Sequence, residues 1–380
     1  MDLSPGWMRV ATPLADTQWG DSVARDVART MTRQAAVPRG ELARQARVAR
    51  TLGSPFVGAV LDAGDRHLHR APKTAALIAG WPHDRAAAAL AMRFNAALHA
   101  LARRDADGAL GRLYRSGHGD LDGVIGDAMA EHDDFVTDWM QHPPQTNEVG
   151  RAGAIAAALM AARRELGLPF EVLEIGSSCG LTLNLAHYSY DLGGTRGGMA
   201  ASAVHIAPTW RGGAPAFAPI EVVAARGVDL SPLDARDAAT RERLLAFVWA
   251  DQPWRTARLE QALKLAGAHL PRIDRGDAAS WIGARLAEEQ APGTCRVILH
   301  SMVLQYIAPY DRRTINAAIA AAGAHATPDR PLAQIGFEWT PDRREVQLSL
   351  TCWPTGGTRV LATCHAYGEW VEWRGDSAPN

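Results

Sequence analysis

The spacing of apolar positions changes character near residue 169. From about residue 20 to 166, large apolar residues recur at i, i+3, i+4 and i+7, with Ala, Leu, Met and Arg abundant and few β-branched runs. That is the pattern of one face of an amphipathic helix. DRAAAALAMRFNAALHALARR (84–104) and DLDGVIGDAMAEHDDFVTDWM (120–140) show it most plainly, and His83-Asp84 and Gly119-Asp120 supply starts for these two helices. An all-α region is predicted here. Beyond it, FEVLEIG (170–176) is a short apolar run closed by glycine, and GLTLNLAHY (180–188) resumes helical spacing, which predicts strand, tight turn and helix.

Three more strand signals follow, IEVVAARGVD (220–229), PRIDRGD (271–277) and CRVILHS (295–301), with helical spacing over 241–249, 256–268 and 312–324. Strands alternating with helices predict an α/β fold, a doubly wound and mostly parallel sheet covered on both faces. PLAQIGFEW (331–339), REVQLSLTCW (344–353) and TRVLATCHAYGEWVEW (358–373) read as an antiparallel meander closing one edge. A Gly/Pro-rich excursion at 186–220 reads as a hairpin or flap, with disorder as the alternative. The expected organisation is a helical cap domain, 1–149, over the edge of a Rossmann-like domain, 150–380.

A length of 380 residues suits two domains at roughly 100–200 residues each. Hydrophobic residues at 47% and charged residues at 21% exclude a largely disordered chain. The formal net charge of -1 recruits neither nucleic acid nor an anionic membrane, so a small-molecule partner is expected, with the oligomeric state open. No P-loop string occurs, and the four cysteines form no CxxC pair, so neither zinc nor a disulfide framework is indicated and no metal site is expected. The N-terminus lacks a basic region followed by an apolar stretch, which points to a cytoplasmic protein.

The candidate chemistry centres on GSSCG (176–180). Read as GxSxG, it places Ser178 as the nucleophile of a serine hydrolase, with His300 or His365 as base and Glu338 as acid. Read as a glycine-rich loop after the first strand, it lets a nucleoside approach the backbone, with the amides of the following helix facing the ligand. The second reading is preferred, because no strand signal precedes residue 170 and no HGGG-like segment supplies an oxyanion donor. Asp229, closing the second strand, is then placed to hold a ribose, and Asp277, closing the third, an adenine amino group. Asp229 lies far beyond the glycines, whereas a compact unit keeps its acid about 20 residues on; the excursion must be looped out, and Asp191 is the rival acid.

The ordered set LEIGSSCG, GVDLSP, GDA and a fourth strand resembles class I S-adenosylmethionine-dependent methyltransferases over about 170–340. QTNEVGR (145–151), LEIGSSCGLTLNLAHYSYD (173–191), ARGVDLSPLD (225–234), FVWADQPWRTARL (247–259) and VILHSMVLQY (297–306) together look like a bacterial domain-of-unknown-function family, DUF2332-like, over nearly the whole chain. The resemblance implies a methyltransferase-like fold and S-adenosylmethionine as cofactor. Gly176, Ser178 and Gly180 would shape the methionine and ribose pocket, with Glu174 facing the methionine part. His300 is the candidate base, and Gln305 and Tyr306 are possible substrate contacts. Asn147, Glu148 and Arg151 would point over the cofactor mouth, Glu148 to an α-amino group and Arg151 to a carboxylate, although Asn147 or Thr146 as a plain helix cap is the simpler reading. A non-catalytic methyltransferase-like binding module is the third possibility.

Overall fold

The computed structural model describes residues 40–375 except 83, 84, 86, 87, 143, 146 and 147. Two compact units emerge, one of the described residues up to 144 together with 249–251, the other of the described residues within 145–248 and 252–375.

The first unit holds α1 (Glu41–Thr51), α2 (Pro55–His67), α3 (Pro72–Ala79), α4 (Leu90–Arg104), α5 (Ala109–Ser116), α6 (Leu121–Glu131) and α7 (Asp133–Met140). Leu61, Phe94, Leu98, Ile125, Met129 and Met140 form its core together with Trp249. Asp251 caps α2, accepting from Ser54 Oγ at 2.5 Å and the Phe56 amide at 3.1 Å. The stretch 120–140, a single helix by its spacing, is two. Asp120 caps α6 through the Gly123 amide at 2.9 Å. The backbone then breaks at His132, and Asp133 turns its carboxylate to the amides of Lys73 and Thr74, at 2.8 and 2.9 Å, at the start of α3. The helix expected over 84–104 begins at Leu90, after Ala89 in the left-handed region at φ 52°; His83 and Asp84 lie outside the described residues.

In the second unit α8 (Ala152–Leu166) leads into β1 (Phe170–Ile175). The chain then forms β2 (Ser189–Leu192), β3 (Thr195–Gly198), β4 (His205–Ile206), β5 (Thr209–Arg211), β6 (Val222–Asp229), α9 (Ala238–Ala246) and α10 (Pro253–Ala268). It continues through β7 (Ile273–Arg275), α11 (Ala278–Ala287), β8 (Cys295–Ser301), α12 (Pro309–Ala324), β9 (Leu332–Trp339), β10 (Val346–Trp353), β11 (Gly357–Cys364) and β12 (Trp370–Trp373). The main sheet runs β5-β12-β11-β10-β9-β8-β1-β6-β7. β7, β6, β1, β8 and β9 are parallel, so the order in which strands are laid down reverses between β1 and β8. In open α/β sheets such a reversal leaves a crevice beyond the carboxyl ends of the strands. β1 explains why both faces are covered: Phe170 and Val172 join the core with α8, while Leu173 and Ile175 pack with Ile282, Ile315 and Ile319 of α11 and α12. A strand buried on both faces reads as the unbroken apolar runs seen in β1 and β8.

The antiparallel meander over 331–373 is present as β9, β10, β11 and β12, and it joins the parallel strands through β9, which runs parallel to β8. One expectation needs correcting. The segment 180–188 is a 3₁₀ helix over Thr182–His187. The fully buried Tyr188 and Tyr190 shape it by donating their hydroxyls to the carbonyls of Leu181 and Leu185, at 2.5 and 2.6 Å. No α-helix N-terminus therefore follows the glycine turn. The hairpin expected within 186–220 is present as β2 and β3, while β4 pairs parallel to β2 and β5 joins the main sheet beside β12. Asp191, the rival acid, accepts from the Gly194 amide at 2.9 Å and closes that hairpin.

Candidate functional site

The turn after β1 needs a left-handed backbone at three of five positions, with Gly176, Ser178 and Gly180 at φ 75°, 51° and 69°. Two glycines meet that demand without strain. The turn folds over the end of β6: the amides of Gly176 and Ser177 donate to Val228 O at 2.9 and 3.1 Å. The Ser178 amide donates to Asp229 Oδ2 at 2.8 Å, and the Ser231 amide to Oδ1, also at 2.8 Å. A carboxylate has about four acceptor positions, so the half-buried Asp229 keeps capacity for two further donors. On the apolar side there is no spare room. Val303 occupies the space beside Gly176 that a Cβ would take, and Pro271 and Ile273 do the same at Gly180. The polar, Asp229 side of the turn is thus the one with acceptor positions left. Asp277 is carried to the same edge, since the Gly276 amide donates to Asp229 O at 3.0 Å; its carboxylate caps α11 through the Ser280 amide at 2.9 Å.

Glu174, on β1 just before the turn, is 3% exposed, and its Oε2 has no hydrogen-bond partner. Burial pushes its pKa up to about 8, against the pull of the Ser177 and Thr182 hydroxyls and with the charge of Asp229 adding to the rise. Glu174 is therefore a neutral acid at neutral pH. Cys179, in the turn, is buried too, and burial pushes its thiol up to about 12, which leaves it a packing residue rather than a thiolate.

His300 lies at the end of β8, level with Ile175 of β1. Its Nδ1 is 3.0 Å from Glu338 Oε1 and its Nε2 3.1 Å from the Gln334 amide nitrogen. A ring that accepts at Nε2 carries its proton on Nδ1, which donates to Glu338. Glu338 Oε1 also accepts from the Val303 and Leu304 amides at 3.2 and 3.4 Å. Through Glu338 the imidazole holds the loop whose Val303 packs against Gly176. A Cβ at Gly336 would stand 2.8 Å from His300 Cε1, so only glycine admits the ring there.

Glu148 and Arg151 occupy the short 3₁₀ turn before α8. Glu148, with a side chain 6% exposed, accepts from Arg255 Nε at 2.8 Å through Oε2, and from Arg258 Nη2 and the Gly150 amide, both at 3.0 Å, through Oε1. Burial raises its pKa, but Arg255, Arg258, the Gly150 amide and Arg151 outweigh that and hold it below the usual carboxylate range. With both oxygens committed, Glu148 has no place for a ligand's amino group. Arg151 donates from Nε to Ala366 O at 2.9 Å, and burial lowers its pKa from the ordinary guanidinium value against the pull of Glu148, Tyr367, Glu338 and Tyr306. Gly150 and Gly368 make this possible, since a Cβ on either would strike the backbone of the other's segment. Arg255 in turn stacks on the Tyr367 ring, 4.1 Å from its centroid.

The structure thus brings Glu174, Gly176, Ser178, Gly180, Asp229 and Asp277 to adjoining strand ends, and places Glu148 and Arg151 in a separate arginine cluster. Asn147 and Thr146 lie outside the described residues. Arg255, Arg258, Tyr367, Gln334 and Val303 were not singled out from sequence. The i, i+3 spacing of Arg255 and Arg258 on α10 was the available signal, since it puts two cations on one helix face. A hollow of about 410 Å³ lies at the other end of the strands, where Arg296 is already committed to Glu171 and to the carbonyls of Arg285 and Glu288.

These features define a mixed α/β protein whose polar strand ends meet where the strand order reverses. The chain belongs to the family described as uncharacterized protein conserved in bacteria (DUF2332), which it matches over residues 39–373. None of the curated proteins matches it. Among the described residues no helix is long and apolar enough to cross a membrane.

Proposed function

We propose that the α/β unit, with a class I methyltransferase-like fold, binds S-adenosylmethionine at the carboxyl ends of β1, β6 and β7 and methylates a small molecule in the cytoplasm. The observation that carries this reading is Asp229. Across 51 residues of sequence its carboxylate is brought to the Ser178 amide of the glycine turn, with acceptor positions left for two hydroxyls. A ribose offers that pair of donors. In this reading Asp229 and the Ser178 segment hold the ribose, Asp277 the adenine amino group, and neutral Glu174 supports the turn from beneath. Gly176 and Gly180 serve by giving the turn its backbone. When bound, the cofactor supplies an electrophilic methyl group, and the chain's task is to orient the acceptor and exclude water. His300 acts as a positioning residue for the Val303–Leu304 segment, both its nitrogens being engaged.

Calorimetry with S-adenosylhomocysteine tests the assignment. Asp229→Ala is expected to abolish binding, and Asp229→Asn, which keeps an acceptor for the Ser178 amide, to weaken it at least tenfold at unchanged stability. Undiminished affinity in Asp229→Ala rejects it. Two features favour the hydrolase reading, the left-handed Ser178 at a strand-to-turn junction and the pairing of His300 Nδ1 with Glu338; fluorophosphonate labelling lost in Ser178→Ala would replace our proposal with that one. Nucleoside binding without turnover on any acceptor would leave a binding module.

A further inference from the structure

In the second unit, three guanidiniums, those of Arg151, Arg255 and Arg258, gather around the single carboxylate of Glu148, which spends both oxygens on Arg255, Arg258 and the Gly150 amide. Arg151 is left over. It is 8% exposed, is held in place by its Nε bond to Ala366 O, and makes no ion pair among the described residues. Glu338, the next carboxylate acting on it, is committed to His300 and to two amides. Arg258 Nε is likewise buried without a partner. Three guanidiniums around one carboxylate leave positive charge in excess, and a protein seldom buries excess charge unless something else answers it, because desolvation is costly.

Tyr306, on the short turn after β8, is 69% exposed and its phenol lies near enough to act on the Arg151 charge, so an exposed side chain borders the buried guanidinium. On another side Tyr367 is kept in place by Arg255 and by His365, whose ring meets it edge-on at 5.7 Å. The two terminal nitrogens of Arg151 present a planar pair of donors, which matches a carboxylate in bidentate fashion. A doubly charged phosphate would call for a second guanidinium, and Glu148 already holds both candidates.

We propose that Arg151 is the docking point for the carboxylate of a small organic acid, received beside Tyr306 and Tyr367 at the carboxyl ends of β8 and β9. The proposal does not depend on nucleoside binding at Asp229; if both hold, the acid is the methyl acceptor.

The test titrates the full chain, without nucleoside, with benzoate, its neutral isostere benzamide, and inorganic phosphate at constant ionic strength, read by melting temperature and calorimetry. Benzoate is expected to bind saturably and raise the melting temperature, and benzamide and phosphate to do neither. Arg151→Gln should weaken benzoate at least tenfold, as loss of a charge-assisted pair does. Tyr306→Ala, on an exposed turn, should weaken it about threefold at an unchanged melting temperature of the free protein. Equal responses to benzoate and benzamide, a preference for phosphate, or undiminished benzoate binding in Arg151→Gln overturns the proposal. Should Arg151→Gln fail to fold, the wild-type contrast and Tyr306→Ala decide it by the same criteria.

Discussion

Glu148 and Glu174 are both buried glutamates of the α/β unit, and their surroundings drive them in opposite directions. Around Glu148 two guanidiniums and an amide outweigh the burial penalty and keep the group charged. Around Glu174 no cation acts among the described residues. Two hydroxyls work against burial, the charge of Asp229 works with it, and the carboxyl is lifted to about 8. The pair teaches that burial drives a carboxyl's pKa up and that cations within reach are what reverse the sign. One glutamate is an ion that ties the start of α8 to α10; the other is a neutral acid under a turn whose polar rim already carries Asp229.

The largest break in this comparison is Glu148→Ala, which leaves Arg255 and Arg258 buried without their counter-ion. Removing one partner of a buried pair costs about 3–5 kcal/mol, and urea unfolding at pH 7 should show a loss of that order. A loss below about 1 kcal/mol would mean that solvent or another anion takes over. Glu174→Gln has an effect set by pH. Its folded pKa is raised above the unfolded value, so the stability it allows is fully present below the ordinary carboxyl pKa of 4.5 and is lost as pH rises toward about 8. The slope is about 1.4 kcal/mol per pH unit. Glu174→Gln should match the wild type near pH 4 and exceed it by a few kcal/mol at pH 9, and parallel unfolding curves across that range would remove the neutral acid from the account. Glu148 has the opposite sign. Its folded pKa is lowered, so its contribution is present above 4.5 and lost as pH falls through the folded value, and Glu148→Gln should flatten the acid limb alone.

The sequence was most legible where local pattern and burial agree. The apolar runs FEVLEI and CRVILHS are strands buried on both faces, and their neighbours in the parallel order followed from the same signal. Asp229 was named from its place at a strand end, and its carboxylate does meet the Ser178 amide of the glycine turn. The helix after that turn was misread, since helical spacing in GLTLNLAHY does not reveal that Tyr188 and Tyr190 donate back into the segment and tighten it to 3₁₀. The meander over 331–373 could be read from its turn formers, but the parallel pairing of its first strand, β9, with β8 could not, because a strand's direction is set by the connection that precedes it, here α12, and not by its own composition. The commitment of Glu148 to Arg255 and Arg258 spans more than a hundred positions and leaves no periodic trace. His300 invites a catalytic reading by position, and only the Glu338 and Gln334 contacts show both nitrogens engaged.

Tyr367→Leu makes the smallest expected change and sharpens the comparison by separating packing from charge. The substitution removes the ring that Arg255 faces at 4.1 Å but leaves Glu148, Arg255 and Arg258 in their ion pairs. A desolvated cation over an aromatic face contributes about 1–2 kcal/mol, so a loss of that size is expected in urea unfolding. Because Glu148 keeps both arginines, the loss should stay constant between pH 5 and 9, in contrast to the pH-dependent differences of the two glutamate variants. If the cost of Tyr367→Leu instead grows as pH falls, the ring is needed to hold Arg255 against Glu148, and the charged character of Glu148 then depends on its aromatic neighbour as well as on its two cations.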